Sequence, residues 1–414
     1  MKQTEIGLIP DDWEVKRLGE LGEPCMCKRI LKEQTSPTGD IPFYKIGTFG
    51  GIPDAYISRE LFEQYKEQYN YPKKGTLLLS AAGTIGRVVV FDGKDSYFQD
   101  SNIVWIDNDE TKVTNDFLFY CYSRMQWKTE EGGIVSRLYN ANLKSTSFIA
   151  PKSLAEQERI AKALSDVDAL ISTTEKLIQK KKNIKQGAMQ NLLTGKKRLP
   201  GFGDKQTDLF VPNGTHTKEV KDVSPEQIRL SAKMKQTELG EIPEDWEVKS
   251  LGEMLKIGHG KDYKNLKSGN VPVYGTGGYM TSVNDFLYEG ETVCIGRKGT
   301  IDKPQYHSGK IWTVDTLFYT YDFKSLNPKY LFYKFCLIDW LSMNEASGVP
   351  SLTAKNIEDI QITIPTEEEQ TAIASVLSSM DKEIETLNTK LEKYRNLKIA
   401  MMQQLLTGKI RLVK

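Results

Sequence analysis

Residues 1–20, MKQTEIGLIPDDWEVKRLGE, return at 234–253 as MKQTELGEIPEDWEVKSLGE, identical at 16 of 20 positions. A second pair marks the far end of the unit: MQNLLTGKKRL at 189–199 and MQQLLTGKIRL at 402–412 agree at 9 of 11. The chain is therefore an internal duplication with a period of about 200 residues, far beyond the 20–50 residues of a solenoid repeat and long enough for a domain plus an extension. The interior diverges, and about 20 residues must be dropped from the second copy to keep the ends in step. A shared skeleton survives. Gly83-Thr84-Ile85 answers Gly299-Thr300-Ile301, Asp100 answers Asp315, Leu118-Phe119-Tyr120 answers Leu331-Phe332-Tyr333, Trp127 answers Trp340 and Asn142 answers Asn356.

Each interior is rich in short β-type runs, at 76–79, 87–91, 103–106, 292–295 and 316–321, punctuated by Gly, Pro and Asn. One amphipathic helix per copy is predicted, at 115–127 and 328–341. A long helix then closes each copy. In the second, Ile373, Leu377, Met380, Ile384, Leu387, Leu391, Tyr394, Met401 and Leu405 alternate spacings of four and three, with Lys398 interrupting one position. In the first, Ile160, Leu164, Val167, Ile171 and Ile178 follow the same rule, the seam turns polar at Lys181 and Lys185, and Ile184, Met189 and Leu192 resume it out of phase. Pro151 and Pro365 precede the helices, Glu367 to Glu369 place negative charge at a helix start, and Gly195 and Gly408 suit the far ends. One apolar stripe apiece favours burial of helix on helix, and an antiparallel pair would carry the two mixed domains to opposite ends of a bar roughly 60 Å long. The expected fold is α+β, with two domains in pseudo-symmetric tandem separated by a coiled coil. The expected boundaries are 1–150, a first long helix at 151–200, a linker at 201–233, a second domain at 234–363 and a second long helix at 364–414.

Composition excludes several classes. With 39% apolar and 27% charged residues the chain can build cores. It holds no run of about 18 apolar residues and its opening lacks a secretory signature, so a cytoplasmic protein with no membrane partner is expected. Five cysteines without a C-x-x-C pair and only three histidines leave no zinc-ligand spacing. Enzyme signatures fail as well: there is no Walker loop. Gly258-His259-Gly260 and Gly275-Thr276-Gly277-Gly278 read as turns rather than a dinucleotide fingerprint. Asn327-Pro328-Lys329-Tyr330 lacks the second proline of an amino-methyltransferase motif and reads as a helix cap. Pro10-Asp11-Asp12-Trp13-Glu14-Val15-Lys16 holds nuclease-like letters, but its carboxylates sit too close together and its counterpart begins Pro243-Glu244, so it reads as a repeated structural segment. Pro53-Asp54 with Asp92-Gly93-Lys94 has no counterpart in the second copy.

Charge is unevenly spread. Residues 1–150 carry 18 basic against 21 acidic side chains and 234–362 carry 14 against 17, whereas 152–200 carry 11 against 5. Neither interior is broadly basic, so nucleic-acid binding would rest on local clusters. In the first copy these are Lys28-Arg29, Lys45 with Thr48, the glycine loop with Thr84 and Arg87, and Arg137 with Tyr139 and Asn140. In the second they are His259 with Lys261, Tyr274 with Thr276, Arg297-Lys298, and Ser347, Ser351 and Lys355. These residue types have the donor and acceptor geometry to read base edges and phosphates.

The ordered layout closely resembles the specificity subunit of type I restriction and modification systems. The resemblance rests on Ile9-Pro10-Asp11-Asp12-Trp13 with Ile242-Pro243-Glu244-Asp245-Trp246, on the two glycine loops, on Gln157-Glu158-Arg159-Ile160-Ala161 with Gln370-Thr371-Ala372-Ile373-Ala374, and on the two L-L-T-G-K tails. It covers nearly the whole chain and departs from its own repeat at Asp302 and at Thr371-Ala372. It implies two target recognition domains, each reading half of a split double-stranded DNA sequence, with helices that set the gap. It also implies a chain without catalysis or cofactor of its own. S-adenosylmethionine, ATP and Mg would belong to two modification (methyltransferase) subunits and to restriction (translocase and nuclease) subunits. Near-identical ends would offer two equivalent docking surfaces to two copies of one partner. The rival reading is a non-catalytic scaffold whose interiors bind protein.

Overall fold

The computed structural model describes residues 1–127, 137–203, 229–230, 233–344 and 346–412. The expected linker, with Pro212-Asn213-Gly214 and Ser224-Pro225, lies for the most part outside the described residues. The chain divides into two compact units, Met1–Thr174 with Lys390–Lys414, and Glu175–Thr389. Both boundaries fall inside the long helices, so each unit owns part of both.

The first unit contains α1 (Arg59–Gln68), α2 (Asn115–Tyr122), α3 (Asn140–Ser145) and the first part of α4 (Leu154–Leu192). Its main sheet is antiparallel, with strand order Pro24–Cys25, Ile103–Ile106, Leu77–Ser80, Val88–Val90. A smaller sheet pairs Ile41–Tyr44 in parallel with Tyr97–Phe98. The second unit contains α5 (Leu251–Met254), α6 (Pro328–Phe335), α7 (Ala354–Glu358) and the first part of α8 (Glu367–Leu405). Its six-stranded sheet runs Lys256–His259, Leu317–Tyr321, Tyr288–Gly296, Gln305–Thr313, Ser268–Gly275, Gly278–Val283. The first four strands repeat the order of the first unit's main sheet. Ser268–Gly275 pairs in parallel with Gln305–Thr313, as Ile41–Tyr44 does with Tyr97–Phe98. The difference lies in one strand. Gln305–Thr313 is continuous, whereas its counterpart is interrupted by a turn at 92–95 and splits one sheet into two. The extra residues of the first copy form α1, capped by Ser58 Oγ and buried through Phe62.

Two further features depart from the sequence reading and a third follows it. The expected helices at 115–127 and 328–341 stop at Tyr122 and Phe335, the second followed by a 3₁₀ turn at Trp340–Met343. Gly258 is not in a turn but in the strand Lys256–His259, where a Cβ would lie 2.2 Å from the Tyr319 ring, so glycine there permits close packing. Asn327 caps α6 as expected, its Oδ1 accepting from Lys329 and Tyr330 N–H.

The repeated ends are explained by three polar joints, each made once in each unit. In the first joint the arginine of the tail lies against the tryptophan of I-P-x-D-W. Arg411 donates to Glu156 and Asp12 and sits over Trp13 in the first unit. Arg198 donates to Glu369 and Asp245 and sits over Trp246 in the second. The tail glycines hold φ of +70° and +69°, and a Cβ on either would strike Pro243 or Pro10 at 2.5 Å. Glycine is thus required by conformation and by space. Each copy's tail therefore docks on the other copy's opening segment. Part of each repeated end is internal, since Trp13 and Trp246 are fully buried and Arg198 nearly so, while most residues of 1–8 and 234–241 stay exposed or half-buried.

In the second joint Gln157 donates to the carbonyls of Lys112 and Pro151 and accepts from Thr114 N–H. Gln370 does the same with Ser325, Pro365 and Asn327. The third joint accounts for the polar seam positions. Asp168 accepts from Tyr120 Oη and pairs with Lys398, and Asp381 accepts from Tyr333 Oη and pairs with Lys185. Lys181 adds Glu383. Within the second unit, rising numbers on α4 meet falling numbers on α8, so the helices run antiparallel there. Within the first unit Arg159 reaches the Leu412 carbonyl while Asp168 meets Lys398, giving the same sense. Ile373, Leu377, Leu391 and Leu405 are buried and Met380, Ile384, Leu387, Tyr394 and Met401 half-buried, so the stripe faces inward along its length. The out-of-phase end of α4 has a different burial: Ala188, Met189, Leu192 and Leu193 enter the second unit's core, as Leu405 and Leu406 enter the first's.

Candidate functional site

In both units a glycine loop joins two sheet strands and is bridged to the segment before α3 or α7. Ala82 bridges Arg137 in the first unit and Lys298 bridges Ser351 in the second. Leu138 N–H donates to the Ala81 carbonyl, and Leu352 N–H to that of Arg297. The loops are shaped by backbone chemistry. Gly83, Gly86 and Gly299 have φ of +65°, +90° and +95°, which side chains disfavour. In the first loop, buried Ser80 holds both limbs through Thr84 O and Arg87 N. Gly296 stands at that place in the second, where a Cβ would lie 2.1 Å from Thr300 O. The departure at Asp302 has a packing reason. A Cβ on Gly86 would meet the Trp127 indole at 2.4 Å, whereas Trp340 is turned inward, donating to Phe335 O and packing on its ring, which frees position 302 for a side chain.

The structure brings most of the expected residues of the first unit to one surface. Lys45 and Thr48 open a loop that is held by Thr48 N–H to Lys45 O and by Ile46 N–H to Gln99 Oε1. That loop touches the glycine loop twice, through Ile46 beside Gly83 and through Gly50 against the Arg87 guanidinium. Thr84, Arg87 and Arg137 are exposed there, with Tyr139 and Asn140 at the start of α3. Lys45 pairs with Asp54 at 2.9 Å and Arg29 with Asp100 at 2.8 Å, so both cations are partly neutralised by their own fold. Lys28 turns to the Tyr69 ring.

In the second unit Arg297 and Lys298 are exposed on the loop, Thr276 Oγ1 lies beside Gly299, and Ser351 is bridged to Lys298. Lys261 N–H donates to Thr313 O, and His259 packs edge-on to Phe318, which places both next to the 313–318 turn. Tyr274 is half-buried. Its ring stacks at 3.7 Å on His307, whose burial pushes its pKa down to about 4 and keeps it neutral. Ser347 is exposed in a segment closed by Ser351 N–H to Asn344 Oδ1, and Lys355 pairs with Asp359 on α7. One exposed cation escaped the sequence reading. Lys303 stands where the first copy has Arg87, counting from the shared Gly-Thr-Ile, so the repeat alignment already contained the signal. The two loops thus present different cations on one scaffold: Arg87, with Arg137 bridged beside it, on the first, and Arg297, Lys298 and Lys303 on the second.

Among the described residues no group of three or more His, Cys, Asp or Glu could hold a metal ion. Cys27 and Cys294 are buried, which pushes their thiols up to about 12 and removes thiolate at neutral pH. No helix among the described residues is long and apolar enough to cross a membrane.

The family model described as type I restriction modification DNA specificity domain matches twice, at residues 10–185 and 243–393. The chain belongs to that family. The duplicated match falls on the two copies, and each match includes a recognition domain and much of its long helix. Two proteins named as type I restriction enzyme specificity subunits align with it. One, from Haemophilus influenzae, is 59% identical over 160 residues, which is 39% of this chain and 41% of that relative. The other, from Methanocaldococcus jannaschii, is 27% identical over 457 aligned positions, covering 99% of this chain and 96% of the relative. The solved S subunit of a type I restriction-modification system from M. genitalium shares the fold, with a TM-score of 0.61 at 16% identity over 98% of both chains. For this specificity-domain family member, the divergent loops on a repeated scaffold are the variable element.

Proposed function

We propose that this chain is the DNA specificity subunit of a type I restriction-modification complex and reads a bipartite double-stranded target, one half-site per unit. The observation that carries the reading is the placement of unlike cations on equivalent glycine loops. The strand pairing, the left-handed glycines at 83 and 299 and the backbone bridges are shared, whereas the exposed donors differ, as two different base sequences would require. Phosphate contacts alone would not call for such asymmetry. Under this reading α4 and α8, 39 residues each and continuous, fix the gap between half-sites. A gap near one helical turn of DNA, about 34 Å, presents both half-sites on one face.

The chain supplies recognition and no catalysis. Methyl transfer from S-adenosylmethionine belongs to two modification subunits, and ATP- and Mg-dependent translocation and cleavage to restriction subunits. Co-expression with the modification subunits, followed by genome-wide mapping of methylated adenines, tests the reading. A two-part motif with a constant gap is expected. A continuous motif, or methylation independent of this chain, overturns it. A protein-binding scaffold would show no salt-dependent preference for any duplex.

A further inference from the structure

Among the described residues, each unit displays its most exposed large apolar side chain in the segment that follows an equivalent strand. In the first unit this is Ile52, 88% exposed, and in the second Tyr279, 64% exposed. Both come after the strand that carries the Pro-x-Tyr triplet, Pro42-Phe43-Tyr44 and Pro272-Val273-Tyr274, and that pairs in parallel with the sheet. The intervening sequences are unrelated: Ile52 is on a loop and Tyr279 on an edge strand. The exposure at 52 is imposed by an ordered loop. Phe49 is 1% exposed in the core, Gly51 N–H donates to Thr48 O, Phe43 N–H to Ala55 O, and Lys45 pairs with Asp54 across the base. Pro53 further restricts the backbone at Ile52. Two residues of this loop, Ile46 and Gly50, lie against the glycine loop, with the Arg87 guanidinium beside Gly50. Tyr279 lines a cleft of about 1300 Å³ together with Thr276, Thr300 and Lys303.

An exposed apolar side chain near cationic and hydroxyl donors suits the one apolar feature of the major-groove edge, the 5-methyl group of thymine. We propose that Ile52 packs against a thymine methyl in the first half-site and that Tyr279 does the same in the second. The inference rests on the DNA-reading function above. It adds apolar readout to the polar donors and assigns a thymine to each half-site.

The test is a cycle of protein and DNA changes with the full chain bound to its modification subunits. Once the target is known, each thymine of a half-site is replaced in turn by deoxyuridine, which removes only the methyl. Binding is measured by competition with the unmodified duplex. For the wild-type chain, one thymine in the first half-site should lose affinity roughly fourfold on replacement, the worth of one buried methyl group. With Ile52→Ala the unmodified duplex should bind about tenfold more weakly, and the deoxyuridine penalty should vanish. Ile52→Val should retain it. Tyr279→Ala should abolish the penalty in the second half-site only. These positions are exposed, so the variants fold. A half-site without thymine overturns the proposal, as does a penalty that persists in Ile52→Ala or the lack of any penalty in the wild type. In each case sequence-specific binding by the wild type would leave the DNA-reading function standing, whereas loss of specific binding altogether would sink both.

Discussion

Arg198→Met tests the joint that makes the repeat necessary. Arg198 is 5% exposed and makes two bonds to Glu369, itself 1% exposed, and two to the outer carboxylate of Asp245. Removing the guanidinium strands the Glu369 carboxylate with only the Trp246 Nε1 donor at 3.1 Å. A buried ion pair broken on one side costs about 3–5 kcal/mol, most of it from the uncompensated charge. The corresponding Arg411→Met should cost less, about 1–3 kcal/mol, because Arg411 is 24% exposed and water reaches the site. The double variant Arg198→Met with Glu369→Gln removes the stranded charge and keeps an acceptor for Trp246, so it should recover at least about 2 kcal/mol of the loss. Equilibrium urea unfolding of the full chain, followed by tryptophan fluorescence, measures all three. An Arg198→Met variant within about 1 kcal/mol of wild type, or a double variant no more stable than the single, would refute the argument that this joint is held by a desolvated ion pair.

The same geometry predicts other outcomes. Asp168→Ala leaves Tyr120 Oη and Lys398 without their shared partner and should lower the thermal midpoint by an amount equal to about 1–2 kcal/mol, with Asp381→Ala matching it through Tyr333 and Lys185. Lys334 is buried, with its pKa pushed down to about 7 by desolvation, while its ammonium donates to Leu193 O and Thr363 Oγ1. Between pH 7 and the ordinary lysine value of 10.5 the unfolded chain therefore holds the extra proton, so stability should rise with pH across that window. Lys334→Met should flatten the rise in a urea titration series, and an unchanged slope would show that Lys334 is not its source. Inserting about four residues in α4 lengthens that helix by roughly 6 Å and should change the gap preferred in methylation maps, whereas an unchanged gap would show that the helices do not set it.

Sequence alone made the duplication legible, because the joint residues Asp12, Trp13, Glu156, Gln157, Gly195 and Arg198 and their counterparts in the second copy are fixed by mutual contact and cannot drift separately. It also displayed the 3-4 stripe of α8, since a seam buried along one face needs only local periodicity. Lys398 and Lys185 looked like flaws in that stripe because their partners, Asp168 and Asp381, lie 230 and 196 residues away. The helix α1 was missed for a related reason: mostly polar, it buries through Phe62 and has no counterpart in the second copy to mark it.

The candidate surface divides in the same way. Residue type and the repeat of Gly-Thr-Ile pointed to the glycine loops, and the structure ties them to Arg137 and Ser351 through backbone bridges that no spacing reveals. It also stacks Tyr274 on His307 and turns Lys28 to Tyr69. What the amino-acid order determined by itself is that one domain plan occurs twice with unlike interiors, because duplication and periodicity are properties of a line. Which tail clasps which opening segment, which cations remain free and which apolar side chains stand out in water were decided only by the tertiary fold, because burial and ion pairing depend on distances between residues that the order alone leaves far apart.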